Sequence, residues 1–145
     1  MSKHPEIDLE IRAYRESDKE AVVKLWEQVF PGVPAHNPPA KDIERKLAVQ
    51  RELFLVALYQ GQLVGTAMAG FDGHRGWVYY VASDPRLRRK GIGAALMKRV
   101  EQGLVEIGCH KLNLQVRSSN TEVVEFYRKL GYLEEDRVSM GKLIE

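Results

Sequence analysis

Arg86, Arg88, Arg89 and Lys90 put four cations into five residues, and Gly91 and Gly93 follow at once in the stretch RLRRKGIGAALMKRV. A strand ending near Pro85, a cationic turn and a helix opening at about Ile92 would bring several free backbone N–H groups to one point. The first N–H groups of a helix lack an intrahelical acceptor, the helix dipole favours anions there, and glycines let a bulky group approach the backbone. That combination suits a phosphate, and a pyrophosphate above all. Two well-known phosphate cradles do not match: a dinucleotide fingerprint would put a third glycine where Leu96 stands, and a P-loop needs Gly-Lys-Ser/Thr. The plain alternative is a solvated basic turn whose glycines cap a helix. Three cations beside a helix N-terminus oppose its dipole, however, which is a poor structural choice unless an anion is expected.

A second candidate lies in NTEVVEFYRKLGY, residues 120–132. Seven residues are almost two helical turns, so Asn120 and Tyr127 would share a face and could touch one ligand. Tyr127 also follows Val123 by four residues, which equally suits a core aromatic. Cys109-His110 offers a thiol beside an imidazole, but neighbours on a strand point to opposite faces, so the pair does not make a nucleophile and its base. His74, in the turn FDGHRG, is either a solvated histidine or a base.

The elements that must position these groups follow from periodicity. IDLEIRAYR alternates as a half-buried strand. SDKEAVVKLWEQVF reads as a helix with Ser17 and Glu20 as a capping box and Val22, Leu25, Trp26 and Val29 on one face. PGVPAHNPPA, with four prolines, is a loop, and KDIERKLAVQ a short second helix. ELFLVALYQGQLVGTAMAGF is a hairpin turning at Gln60-Gly61-Gln62, and WVYYVASDP is a further strand with Tyr79 and Tyr80 on opposite faces. The glycine-led helix carries Ile92, Leu96, Val100, Gly103, Leu104 and Ile107 on one face and ends at Gly108. The strand KLNLQV, the helix TEVVEFYRKL ending at Gly131, and a final β segment complete the chain. The order β-α-α-β-β-β-α-β-α-β mixes hairpins with one βαβ crossover, which makes the protein α+β around one mixed, mostly antiparallel sheet.

At 145 residues the chain reads as a single domain, 1–145, able to bury about two-thirds of its unfolded surface. Its net charge of +2 gives no overall bias toward nucleic acid or anionic membranes, so any attraction must come from local clustering. One cysteine and no apolar leader predict a reduced, cytoplasmic protein, and no stretch has the roughly 18 apolar residues of a bilayer span.

Arg88-Arg89-Lys90-Gly91-Ile92-Gly93 resembles the Arg/Gln-x-x-Gly-x-Gly/Ala signature of the GNAT acetyltransferases, and it follows VASDP as it would follow that family's fourth strand. Asn120 to Tyr132 resembles the family's second signature, an Asn followed by a Tyr seven residues later and then Leu-Gly-aromatic. The likeness covers nearly the whole chain. It implies the GNAT fold, with helices on both faces of the sheet and strands four and five splayed around acetyl-CoA, and transfer of an acetyl group to a primary amine in a ternary complex. By the resemblance, backbone groups of Arg89, Lys90, Gly91, Ile92, Gly93 and Ala94, helped by Arg88, would hold the pyrophosphate. Backbone at Val81, Ala82 and Ser83 would pair with the pantetheine arm, Asn120 would bond that arm, and Tyr127 would sit near the sulfur and protonate the departing thiolate. No metal is implied.

Some relatives carry a glutamate base five residues before the signature Asn; here that residue is Gln115, which cannot take a proton. A water chain, Asp72, His74, Asp84, another acid or no base at all must serve. Two rival readings remain at this level: a non-catalytic acyl-CoA-binding sensor, and a nucleic-acid module using RLRRK, which lacks aromatics beside the patch. The acceptor, a small molecule or a peptide N-terminus, is not written in the sequence, and a homodimer is left open.

Overall fold

The computed structural model describes residues 7–32 and 38–145, and the chain divides into two compact units, Met1–Leu114 and Gln115–Glu145. In the first unit, the alternating opening segment forms β1 over Glu10–Ala13. Helix α1, Lys19–Val29, starts differently from the Ser17/Glu20 box that the sequence suggests, and no side chain caps it. Asp18 dominates instead: its carboxylate accepts the Arg15 N–H at 2.8 Å and the two Arg12 Nη groups at 2.8 and 3.1 Å. Bonds between a carboxylate and a guanidinium are stronger than those a serine hydroxyl offers, and residues 16–18 tighten into a 3₁₀ turn around them. The proline-rich loop lies partly outside the described residues, at 33–37, and α2 follows over Pro39–Leu47 with a proline in its first turn.

Strands β2 (Phe54–Tyr59), β3 (Gln62–Phe71) and β4 (Gly76–Ser83) form an antiparallel meander. Gln60 and Gly61 both take positive φ, 51° and 77°, the two-residue turn whose twist matches a hairpin. Helix α3 spans Ile92–Glu106 and returns the chain to β5, Leu112–Asn113, which pairs in parallel with β4. The sheet order is β1-β2-β3-β4-β5. This is the α+β, mostly antiparallel sheet that the pattern and the resemblance both imply.

Neighbouring residues on β3 show which helix covers which face. Thr66 meets Trp26 of α1, whereas a Cβ added at Gly65 would lie 2.8 Å from Ile92 Cγ2 and 2.9 Å from Leu96 Cδ1 of α3. Successive residues of a strand face opposite sides, so α1 and α3 cover opposite faces of the sheet. Ile43 brings α2 into the same core cluster as Trp26, Phe54, Met68 and Ala82, on the α1 face. Ile92, Leu96, Val100 and Leu104 are buried as their spacing predicts, but Ile107 is exposed because α3 ends one residue before it.

Strand β2 begins opposite Met68, so the last residues of β3 extend beyond it. Two side chains take over its bonding: Lys46 Nζ donates to the Ala69 carbonyl, while Gln50 accepts the Phe71 N–H at 2.8 Å and donates to its carbonyl at 3.1 Å. Ladder groups left without partners would be costly, which explains why burial of Lys46, with its lowered pKa, is tolerated.

The second unit contains α4, Thr121–Lys129, closed by Gly131 at φ 99°. Arg128 bonds Glu125 at 2.7 Å and also grips Glu134. The final β segment expected from the sequence is not formed: residues 132–145 carry no strand, and Leu133, Val138, Met140, Leu143 and Ile144 are exposed. Extended chain becomes a strand only where a neighbour takes its N–H and C=O groups, and no described strand pairs with this one.

Candidate functional site

Strand β4 is paired unequally along its two sides. Toward β3 it is bonded from Gly76 to Ser83, but toward β5 only Gly76 and Trp77 have partners, opposite Leu112 and Asn113. From Val78 to Ser83 that edge has no strand beside it among the described residues, which is the parting of strands four and five that the resemblance implies. The edge is also bent. Thr66 opposes Ala82 and Met68 opposes Tyr79, so Ala67 alone faces Tyr80 and Val81, and Tyr80 takes a left-handed φ of 53°. This is a β-bulge, which kinks a strand and re-aims its backbone.

The bulge overturns one sequence expectation. Tyr79 pairs with Met68 and Tyr80 packs on the same core cluster, so both tyrosines lie on the α1 face. Tyr80 stacks on Trp26 at 3.8 Å and donates its phenol proton to Asp42 Oδ2 at 2.6 Å, while Tyr79 remains 53% exposed. Burial, aided by Asp42, pushes the Tyr80 phenol well above its ordinary pKa. Nothing in the local pattern marks an inserted residue, so the roles of Asp42, Thr66 and Tyr80 escape sequence reasoning.

Past Ser83 the chain enters the basic turn. One of its four cations is already committed, because Arg86 donates through Nε at 3.2 Å and Nη2 at 2.8 Å to Asp84, whose Oδ1 also takes the Arg86 N–H. Arg88 and Arg89 are not tied down in this way among the described residues, and both are exposed. Arg89 adopts φ 61° and Gly91 φ 83°, so left-handed residues flank Lys90 and the backbone curls immediately before α3. The first helical bond is from Ala95 N–H to Gly91 C=O at 3.0 Å, and by helix geometry the N–H groups of Ile92, Gly93 and Ala94 have no intrahelical acceptor. Successive N–H groups converging at a helix start form a concave, positively polarised anion site.

These features, an open edge of β4 running into a glycine turn at the start of α3, are those that the resemblance implies, and comparison with known proteins agrees on the family. Residues 19–132 match the acetyltransferase (GNAT) family. The chain belongs to that family. A protein of Pectobacterium atrosepticum named acetyltransferase is 46% identical over 138 residues, 94% of this chain and 97% of its own. Another, from Yersinia enterocolitica, is 46% identical over 134 residues, 92% and 94% of the two chains. The crystal structure of Ard1 from Thermoplasma volcanium superimposes with a TM-score of 0.76 at 26% identity, covering 88% of this chain and 84% of that one. AAC(6')-Iy, solved with a CoA-based bisubstrate analogue, has the same fold, with a TM-score of 0.80 at 20% identity over 94% and 98% of the chains. The protein is an N-acetyltransferase.

The candidate bases of this GNAT enzyme fare unevenly. Asp72 accepts the N–H groups of Arg75 and His74, each at 2.8 Å, and those bonds hold its carboxyl below the ordinary value. Arg86 does the same to Asp84, outweighing the effect of burial. Both are turn-forming carboxylates with lone pairs already in use. His74 sits in the turn before Gly76, roughly 20 Å along β4 from Ser83. Gln115, exposed, donates its amide to Ser139 Oγ at 2.5 Å. Cys109 is a core residue whose thiol donates to the Lys111 carbonyl.

Asn120 stands as the N-cap of α4, its Oδ1 accepting the Val123 N–H at 3.4 Å. The seven-residue spacing to Tyr127 therefore runs from the cap into the helix rather than along two complete turns. Tyr127 is 8% exposed, with Phe126 and Tyr132 edge-on at 4.9 and 5.7 Å, and burial pushes its phenol up to about 12. Its pKa exceeds the unfolded value of about 10, so its stabilisation is complete below pH 10 and is lost as pH rises toward 12. Denaturant titrations should show Tyr127 alone removing on the order of 1 kcal/mol by pH 11. Tyr127→Phe should flatten that part of the decline; an unchanged alkaline profile would mean the phenol is not shielded.

Proposed function

We propose that the enzyme moves an acetyl group from acetyl-CoA to a weakly basic primary amine. The single observation that carries the cofactor half is the continuous run from the open, bulged edge of β4 into the left-handed Arg89–Gly91 turn and the free N–H groups opening α3. In this reading Arg89, Lys90, Gly91, Ile92, Gly93 and Ala94 hold the pyrophosphate through backbone groups, with Arg88 adding charge. Val81, Ala82 and Ser83 pair with the pantetheine arm as an added strand would, and Asn120 contributes its side-chain amide. The amine nitrogen attacks the thioester carbonyl carbon, a tetrahedral intermediate forms, and the C–S bond breaks as the sulfur receives a hydrogen bond and then a proton from Tyr127. The amine sheds its own proton to water, and water returns a proton to the Tyr127 phenolate, so the enzyme ends as it began.

The acceptor half rests on the lack of a free base among the described candidates. Glutamine stands at 115, and Asp72 and Asp84 are bound by neighbouring N–H groups or by Arg86. With no base free among these described candidates, the amine is taken to arrive neutral. Deprotonating a lysine ε-amine of pKa about 10.4 at pH 7 costs about 4–5 kcal/mol, against about 1 for an α-amine near 7.7–8.0. Thiol release from acetyl-CoA, measured with matched peptides blocked at either the α- or the ε-amine, should run at least tenfold faster on the free α-amine at pH 7. Faster ε-amine transfer would overturn this assignment.

A further inference from the structure

Thr66 is a fully buried hydroxyl in the middle of an apolar sheet face, and it makes two hydrogen bonds of 2.8 Å. One joins it to Trp26 Nε1, the other to the carbonyl of Tyr80, the bulge residue. The direction of both bonds is dictated by chemistry. An indole N–H can only donate, so the Thr66 oxygen must accept from Trp26 and its one proton is left for the Tyr80 carbonyl. A bulge takes its extra residue out of the strand ladder, and here the Thr66 hydroxyl stands in for the lost ladder donor.

That bond has a geometric consequence on the other side of the strand. The carbonyl of Tyr80 and the N–H of Val81 belong to one planar trans peptide and point in opposite directions. A carbonyl turned toward Thr66 of β3 therefore turns the Val81 N–H away from β3, toward the side of β4 where β5 has ended at Asn113. The Tyr80 ring is held at the same time, stacked on Trp26 and bonded to Asp42. A left-handed φ in a non-glycine residue is retained only where its surroundings over-determine it, and these contacts do so.

We infer that Thr66, aimed by Trp26, is a positioning residue for acetyl transfer: it locks the Tyr80–Val81 peptide so that the Val81 N–H faces the open edge of β4. The inference rests on the proposed function, in which that edge receives the thioester. A fixed N–H aimed at a developing oxyanion accelerates the chemical step, and losing one such donor typically costs about 10²–10³ in rate. Thr66 works one residue removed, by alignment, so a loss of about 10–100-fold in kcat is expected.

The test is Thr66→Val, which keeps shape and deletes the hydroxyl, compared with Thr66→Ser and with Val22→Ala, a destabilising change in the same core. Thr66→Val should lower kcat about 10–100-fold with KM for acetyl-CoA within about threefold of wild type, because the pyrophosphate turn is untouched. Thr66→Ser should recover kcat to within about threefold, and Val22→Ala should lower the melting temperature without lowering kcat. If Thr66→Val does not fold, Thr66→Cys gives the graded version, with kcat about three- to tenfold below that of the Ser variant. Normal kcat in the Val or Cys variant, or equal loss in Val22→Ala, overturns the positioning role while leaving the proposed function standing. Failure of the wild-type protein to bind acetyl-CoA or release thiol with any amine would remove the proposed function itself.

Discussion

Tyr127→Phe should lower kcat by about 10²–10⁴ while leaving the affinity for acetyl-CoA nearly unchanged, as expected for loss of a positioned proton donor. The ring survives the substitution, with its edge-on contacts to Phe126 and Tyr132, so the comparison isolates one hydroxyl. The buried phenol, pushed up to about 12, is fully protonated at neutral pH. It also holds that proton more tightly than a coenzyme A thiol of about 8.5 would in water, a mismatch of about 5 kcal/mol if transfer had to be complete before the C–S bond breaks. A thiolate expelled into equally dry surroundings has its own pKa raised by the same desolvation, so the gap narrows. Tyr127 is therefore expected to donate a hydrogen bond first and release the proton late. Steady-state kinetics with saturating amine measure the effect; undiminished turnover in the Phe variant would reduce Tyr127 to a packing aromatic.

The second large effect is expected at the turn proposed to hold the pyrophosphate, where Gly91→Val should weaken acetyl-CoA binding much more than Arg89→Ala. Gly91 sits at φ 83°, a region β-branched residues avoid, and forcing one there costs about 1–3 kcal/mol, equivalent to roughly 5–150-fold in Kd if the turn relaxes to escape it. In the proposed site the valine side chain would also meet a phosphate approaching the N–H groups of Ile92 to Ala94. Arg89 is an exposed cation whose attraction is screened by salt, so its removal should cost only about 0.2–1 kcal/mol. Gly91→Asn separates the two causes, since asparagine tolerates left-handed φ but still brings a side chain. Calorimetric Kd values that are equal for Gly91→Val and Arg89→Ala would show that charge rather than backbone is the anchor.

What the amino-acid sequence determines by itself here is whatever depends on a few adjacent residues. The turn at Gln60-Gly61, the start of α3 after Gly91 and the buried stripe Ile92, Leu96, Val100 and Leu104 follow from backbone freedom and a 3.6-residue period, and tertiary packing preserved all of them. The family signatures lie in the same local stretches, which is why the turn proposed to hold the phosphate is legible without a structure. Tertiary structure decided the rest because partners distant in the chain compete for the same groups. Asp18 displaced the Ser17 cap because Arg12 from β1 reached it, and Asp84 withdrew Arg86 from the basic cluster. Lys46 and Gln50 became substitutes for a strand only because β2 starts opposite Met68. The bulge at Tyr80 is the clearest case. An alternating strand carries no local mark of one extra residue, and the conformation is held by a hydroxyl on β3, an indole on α1 and a carboxylate on α2 that meet only when the sheet is assembled.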